Sequence, residues 1–319
     1  MNRESRLQYF PISFFSIIMG LAGLTIVVQR AETMMSYGHG VSTVILYAVA
    51  ALFVSIAMLY IAKSIFFLPA VLGDFNNPIS INFFPTITIG MLLLSVAFHE
   101  VSHPIAFYLW IAGTVLHFIA TIVIMSMWIR QTKFEIHHFN PSWFIPIVGN
   151  MIVPIAGLQY GPPEILWFFF SVGIVFWIPF LTIFLYRIFF HHPLPEKLIP
   201  TMFILIAPPA VGFLSYVKLT GSIDTFAKIL YYFAVFLFIL LVAQAGKFYK
   251  IKFYLSWWAY SFPIAAVAIA SALFYMEAGA AIYMIIFTGL MILLALLIAM
   301  LAVMTIRAML RKEICKSEK

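Results

Sequence analysis

The chain has 319 residues, 64% of them hydrophobic and only 9% charged. A soluble domain averages about 25% charged residues, so the composition excludes a soluble protein and marks an integral membrane one. The net charge of +7 does not argue for a nucleic-acid partner, because basic residues in a membrane chain report orientation in the bilayer.

At about 20 residues per crossing, this length allows roughly ten to twelve transmembrane helices. Long apolar runs exclude a membrane β-barrel, whose strands alternate over about ten residues. In chain order the apolar segments are 10–29, 42–62, 81–98, 105–129, 142–158, 165–188, 199–217, 225–245, 253–275 and 279–306. The basic start, Met1 to Gln8, runs into the first segment without a small-residue cleavage site, so that segment reads as a retained helix. Asn76-Asn77-Pro78, Asn140-Pro141, Gly161-Pro162-Pro163 and His192-Pro193-Leu194-Pro195 punctuate the links. Short links favour antiparallel neighbours. The expected fold is all-α and membrane-integral, with ten transmembrane helices as five helical hairpins. Residues 1–319 form one transmembrane domain, with no soluble domain. The single cysteine, Cys315, leaves no internal disulfide.

Ten crossings put both termini on one side. That side would hold fifteen basic residues, including Arg3, Arg6, Lys63, Arg130, Arg187, Lys247, Arg307 and Lys319, and the other only Arg30, Lys218 and Lys228. The positive-inside rule then makes both termini cytoplasmic. Prolines give a second asymmetry. Pro11, Pro85, Pro146, Pro154, Pro208, Pro209 and Pro263 fall in odd-numbered segments, and Pro179 alone falls within an even one. Proline removes a backbone donor and clashes with the carbonyl four residues back. The odd segments therefore read as five bent inner helices around a pore, and the even ones as straight helices facing lipid.

The centres of the ten segments carry essentially no charge. Glu32, Glu100, Glu164, Asp224 and Glu277 fall at ends or links. A coupled carrier commonly uses an intramembrane carboxylate, so the absence points to a passive channel. Thr86, Thr88, Asn150, Ser261 and Ser271 are expected to make interhelical hydrogen bonds. Asp224 and Lys228, at i,i+4, read as a helix cap with a weak ion pair.

Several stretches together are similar to the tellurite-resistance/dicarboxylate-transporter family, which includes bacterial TehA proteins, fungal malate transporters and plant guard-cell slow anion channels. They are Phe10-Pro11-Ile12-Ser13 with Gly20-Leu21-Ala22-Gly23-Leu24, Pro78-Ile79-Ser80-Ile81-Asn82-Phe83-Phe84-Pro85, Asp224-Thr225-Phe226-Ala227-Lys228-Ile229-Leu230, and Trp257-Trp258-Ala259-Tyr260-Ser261-Phe262-Pro263. The resemblance implies a quasi-fivefold central pore in each protomer of a homotrimer in the cell membrane, conducting small inorganic anions such as chloride or nitrate without a cofactor. It also implies a phenylalanine gate in the ninth helix, here Phe262. Phe83, Phe84, Pro85, Pro146, Pro208 and Pro263 are the accompanying pore-lining or kink candidates. Some relatives carry malate or other C4-dicarboxylates, or confer tellurite resistance, so a secondary carrier is the alternative. The long tails of the plant proteins are lacking, which puts tail phosphorylation in doubt here.

His99-Glu100-Val101-Ser102-His103 matches the H-E-x-x-H zinc-hydrolase pattern. Pro104 directly after it biases His103 away from helical geometry, and no third ligand is evident: Asp74 and Asp224 sit in links, Asp74 on the opposite side. The motif reads as an interfacial link, and the protein as neither an enzyme nor a metal binder. Metal analysis of purified protein is expected to find no stoichiometric zinc. Zinc bound at one per chain, and lost on mutating His99 or His103, would reverse that reading.

Overall fold

In hydrocarbon an unpaired backbone N–H or C=O costs several kcal/mol, so long apolar runs resolve as helices that satisfy their own backbone. The computed structural model of the protein describes residues 6–248 and 250–316, without the Lys247 side chain. Arg3, Lys319 and the Lys247 side chain, counted above, lie outside the described residues. Among those residues there are no strands. The apolar segments are α1 (Ile12–Met34), α2 (Gly40–Phe66), α3 (Ser80–Phe98), α4 (His103–Arg130), α5 (Pro141–Gly157), α6 (Pro163–Phe190), α7 (Glu196–Thr220), α8 (Thr225–Val242), α9 (Leu255–Ala278) and α10 (Ala281–Leu310). Among the described residues nine of them are long and apolar enough to cross a membrane, and α5 is shorter.

The length of α5 has a compensating feature. It alternates 3-10 turns (Pro141–Phe144, Gly149–Ile152) with α turns (Ile145–Val148, Val153–Gly157). A 3-10 turn rises about 2.0 Å per residue against about 1.5 Å in an α-helix. The segment therefore extends roughly 30 Å, the thickness of a hydrocarbon core.

Burial separates the segments into two classes. In an apolar 18-residue stretch of each segment, 72–83% of the residues are buried in α1, α3, α7 and α9, against 22–33% in α2, α4, α6, α8 and α10. All of α5 but Ile155 is buried. Each buried segment packs against the exposed one that follows it. The buried ones also contact one another in a closed circuit: α1 with α3, α3 with α5, α5 with α7, α7 with α9, and α9 with α1. At the last contact the two backbones come close together. A Cβ on Gly20 would lie 2.8 Å from Ser261 Cβ, and one on Gly23 would lie 2.7 Å from Ala265 Cβ, so only glycine allows α1 to approach α9 this closely.

The inner segments share a change of helix type rather than a simple bend. Each begins with 3-10 geometry and continues as α-helix, from Phe15, Thr86, Ile145, Ala207 and Ser261 respectively. The prolines sit at that change. Pro85 caps the α part of α3, and Pro146, Pro208 and Pro209 lie in first turns. Pro263 is the third residue of the α part of α9. Within α9 the expected break in the ladder at Pro263 takes the form of a change from 3-10 to α geometry, the 3-10 turns of Leu255–Tyr260 running directly into the α part.

In each inner segment a short polar side chain in or beside the 3-10 part donates to the carbonyl three residues back. Ser16 Oγ bonds Ser13 O (2.6 Å), Thr86 Oγ1 bonds Phe83 O (2.5 Å), and Asn150 Nδ2 bonds Ile147 O (3.1 Å). Thr201 Oγ1 bonds Leu198 O and Ser261 Oγ bonds Trp258 O, both at 2.6 Å. Thr86 and Ser261 thus serve their own helices, not the neighbours expected from sequence. Thr88, Asn150 and Ser271 do reach across, to His117 (2.7 Å), Thr121 (3.1 Å) and Tyr231 (3.0 Å). Asp224 caps α8 through Ala227 N (3.0 Å), and its other oxygen accepts from Tyr216 Oη (2.6 Å) rather than from Lys228.

At the end carrying both termini, Arg6 donates to Ile314 O (3.2 Å). Beside it Lys63 of α2, 1% exposed, donates to Phe10 O (2.9 Å) and to Asp74 (2.5 Å) of the short helix Leu68–Asn76. This buried ammonium fixes the start of α1 to the α2–α3 link. Asp74 is partly exposed and rehydrates when left alone, whereas Lys63 does not. Asp74→Ala is therefore expected to cost about 3 kcal/mol, in the range for an orphaned buried charge, and Lys63→Met clearly less, as read from thermal unfolding in detergent. Equal effects would show that burial of Lys63 does not set the balance.

Candidate functional site

An apolar inner helix presents a stripe at every third or fourth residue to whatever it surrounds. In the circuit of inner segments these stripes line two cavities. The first, about 40 Å³, lies towards the termini, and the second, about 250 Å³, lies towards the opposite end. All five inner segments contribute to both. On α9 the stripe runs Ala259, Phe262, Ala266, Ile269, Leu273 and Met276. On α7 it runs Ile204, Ala207, Val211, Leu214 and Lys218, and on α5 Ile145, Val148, Ile152 and Ile155.

The two cavities share only Phe262 and Ile152 in their linings. Both side chains are buried. They form the partition between the cavities, a phenyl ring from α9 beside a branched aliphatic from α5. Opposite the ring stands α1: a Cβ on Gly23 would lie 3.6 Å from Phe262 Cδ2, so the wall there is nearly bare backbone.

The remaining sequence candidates divide. Phe83 and Pro263 line the first cavity with Phe262, and the Phe83 and Phe262 rings do not stack on each other. Phe84 turns outward, its ring edge-on to Phe75 (centroids 5.1 Å apart) and Tyr60 (6.2 Å). Pro85, Pro146 and Pro208 stand at helix junctions behind the lining. The Pro146 carbonyl accepts from Thr121 Oγ1 (2.9 Å) and Asn150 Nδ2 (2.9 Å), with His117 Nε2 at 3.2 Å. His117, fully buried on α4, thereby ties an outer helix to α3 and α5.

Sequence reasoning missed Ile152, which no local signal distinguishes from its apolar neighbours. It also assigned Arg30, Lys218 and Glu277 to helix ends without placing them on the second cavity, which they line. Their register was available: Arg30 follows Ile26 by four residues, as Lys218 follows Leu214, which puts each on its helix's cavity stripe.

The H-E-x-x-H stretch straddles a break between helices. The α part of α3 ends at Phe98, and α4 starts at His103 with Pro104 in its first turn. His103 is helical after all, and the non-helical residues are those before it. The His99 and His103 rings are 4.7 Å apart, and His99 Nδ1 lies 3.0 Å from Tyr160 Oη. Burial holds His99 below the usual imidazole pKa. Among the described residues no three of His, Cys, Asp and Glu come together as a metal site.

A family model described as SLAC1, voltage-dependent anion channel, matches residues 9–306. The chain is similar to the S-type anion channel SLAH2 of Arabidopsis thaliana, at 28% identity over 82% of this chain and 52% of that protein. It is 26% identical to the guard cell S-type anion channel SLAC1 of the same plant, over 82% and 49%. A tellurite resistance protein TehA homolog of Haemophilus influenzae is 25% identical over 88% of this chain and 87% of its own length. The chain thus spans about half the length of these plant relatives.

The contact of α1 with the partition gives a direct test. Gly23→Ala places a methyl 2.7 Å from Ala265 Cβ, where neither group has a rotamer to escape into. It is expected to lower stability by about 1–3 kcal/mol, the range for overpacking. Gly38→Ala, with nothing within 4 Å, is expected to stay within about 0.5 kcal/mol of the wild type. Thermal unfolding of both variants in detergent measures the contrast.

Proposed function

The chain belongs to the SLAC1 family of voltage-dependent anion channels, and on that footing we propose that it is a passive channel for small anions such as chloride or nitrate, closed by the side chain of Phe262. The observation that carries this reading is the pair of cavities, lined by all five inner segments and sharing only Phe262 and Ile152. A phenyl ring across a narrow apolar passage blocks an ion sterically and by excluding the water it needs. Gly23 leaves space beside the ring, so rotation of Phe262 or movement of α9 opens the passage.

The rest of the architecture follows the same reading. α5 serves as the tenth crossing, its 3-10 turns stretching it across the hydrocarbon. The inner segments form a quasi-fivefold pore, and three copies assemble through lipid-facing surfaces with one pore in each. Both termini lie in the cytoplasm, as the distribution of basic residues favours. The charged residues on the cavities, Arg30, Lys218 and Glu277, stand at the far end of the second one. No carboxylate lines the passage at Phe262, which favours a channel over a proton-coupled carrier.

Phe262→Ala, inserted at wild-type levels, is expected to raise anion current at least roughly tenfold, equivalent to about 1.4 kcal/mol of barrier. The reversal potential should follow the chloride or nitrate gradient. A well-inserted Phe262→Ala that conducts no more than wild type would falsify the gate assignment. Saturable, proton-coupled malate uptake without resolvable current would identify a carrier instead.

A further inference from the structure

The two cavities differ in charge. No charged residue lines the first, whereas the second carries Arg30 of α1, Lys218 of α7 and Glu277 of α9. Arg30 and Lys218 lie within electrostatic range of each other and of Glu100, in the turn between α3 and α4. His99 in the same turn feels both cations. Among the described residues neither cation makes an ion pair within 4.0 Å of a carboxylate. Two like charges thus face one cavity, with Lys218 at its exposed end, and the nearby carboxylates stand off rather than pair with them.

We propose that the second cavity is an anion-binding vestibule, in which Arg30 and Lys218 together hold one small anion at the end of the cavity away from the Phe262 ring. Its role in conduction rests on the channel reading above; the binding itself does not. The cavity of about 250 Å³ is several times the roughly 30 Å³ that a water molecule occupies in the liquid, so a halide or nitrate enters with part of its hydration shell. Apolar walls concentrate the field of the two cations on the bound ion. Glu100 and Glu277 temper that field, and the ion stays loose enough to leave, as conduction requires. Because only one cavity is charged, anions entering from the vestibule side are concentrated in the cavity that leads to the partition and those entering from the other side are not.

Bromide is the probe. Crystals of the wild-type protein soaked in bromide are expected to show an anomalous peak between the Arg30 guanidinium and the Lys218 ammonium, lost in the Arg30→Gln/Lys218→Gln double variant. In a Phe262→Ala background, the same double substitution is expected to reduce anion current entering from the vestibule side about tenfold at low salt, within the range of electrostatic steering. The difference should shrink as salt shortens the screening length. Glu277→Gln should move the current the other way. No bromide peak in the wild type, or a peak that persists in the double variant, overturns the vestibule. If bromide binds as expected while Phe262→Ala stays silent, the gate reading fails and the vestibule stands.

Discussion

The backbone of the inner segments sets the terms for everything else in this protein. Hydrocarbon supplies no hydrogen bonds, and yet these segments begin with 3-10 turns and carry prolines, both of which disturb the α-helical ladder. The disturbance is met locally. In each inner segment Ser16, Thr86, Asn150, Thr201 or Ser261 donates to the carbonyl three residues back. Asn150 goes further, sharing the Pro146 carbonyl with Thr121. A side chain of two to four heavy atoms suffices, so the junctions remain narrow and the helices can still approach one another.

Close approach in turn decides what surrounds the partition. With Gly20 and Gly23 facing Ser261 and Ala265, α1 and α9 meet almost backbone to backbone. The two cavities are then parted by the Phe262 and Ile152 side chains, with little side chain on the α1 wall beside the ring. An apolar lining is what such a circuit gives by default, because the inner segments are buried on all sides. Charge enters only where the second cavity approaches the far end of the helices, at Arg30, Lys218 and Glu277.

The alternation of inner and outer helices was legible in the sequence because proline is a backbone signal that apolar composition does not mask. Pro85, Pro146, Pro208 and Pro263 all fall in buried segments, as their odd-numbered positions implied. Their local geometry was not legible: a 3-10 turn leading into an α-helix and a kinked α-helix use the same residues, and only the hydrogen-bond register separates them. The short α5 shows the same limit, since its reach depends on rise per residue and not on residue count. The lining stripes were hidden for a different reason. Where every face of a helix is apolar, a period of three to four carries no contrast, so Ile152 could not be told from Ile147 or Ile155. Phe262 was singled out by resemblance and by its place beside Pro263, and Phe84, with the same neighbour type, faces α2 instead. Arg30 and Lys218 did carry contrast, being charged residues in register with an apolar stripe, but assignment to helix ends absorbed them.

The circuit of inner segments closes between the first and the last of them, so its glycine-lined contact joins opposite ends of the chain. During synthesis α1 enters the membrane long before α9 exists. Until the final hairpin arrives, the glycine face of α1 has only lipid or provisional neighbours against it. Contacts of such wide sequence separation form late and slowly. The cavities are therefore among the last features to be completed, products of the final hairpin rather than of any earlier part of the chain.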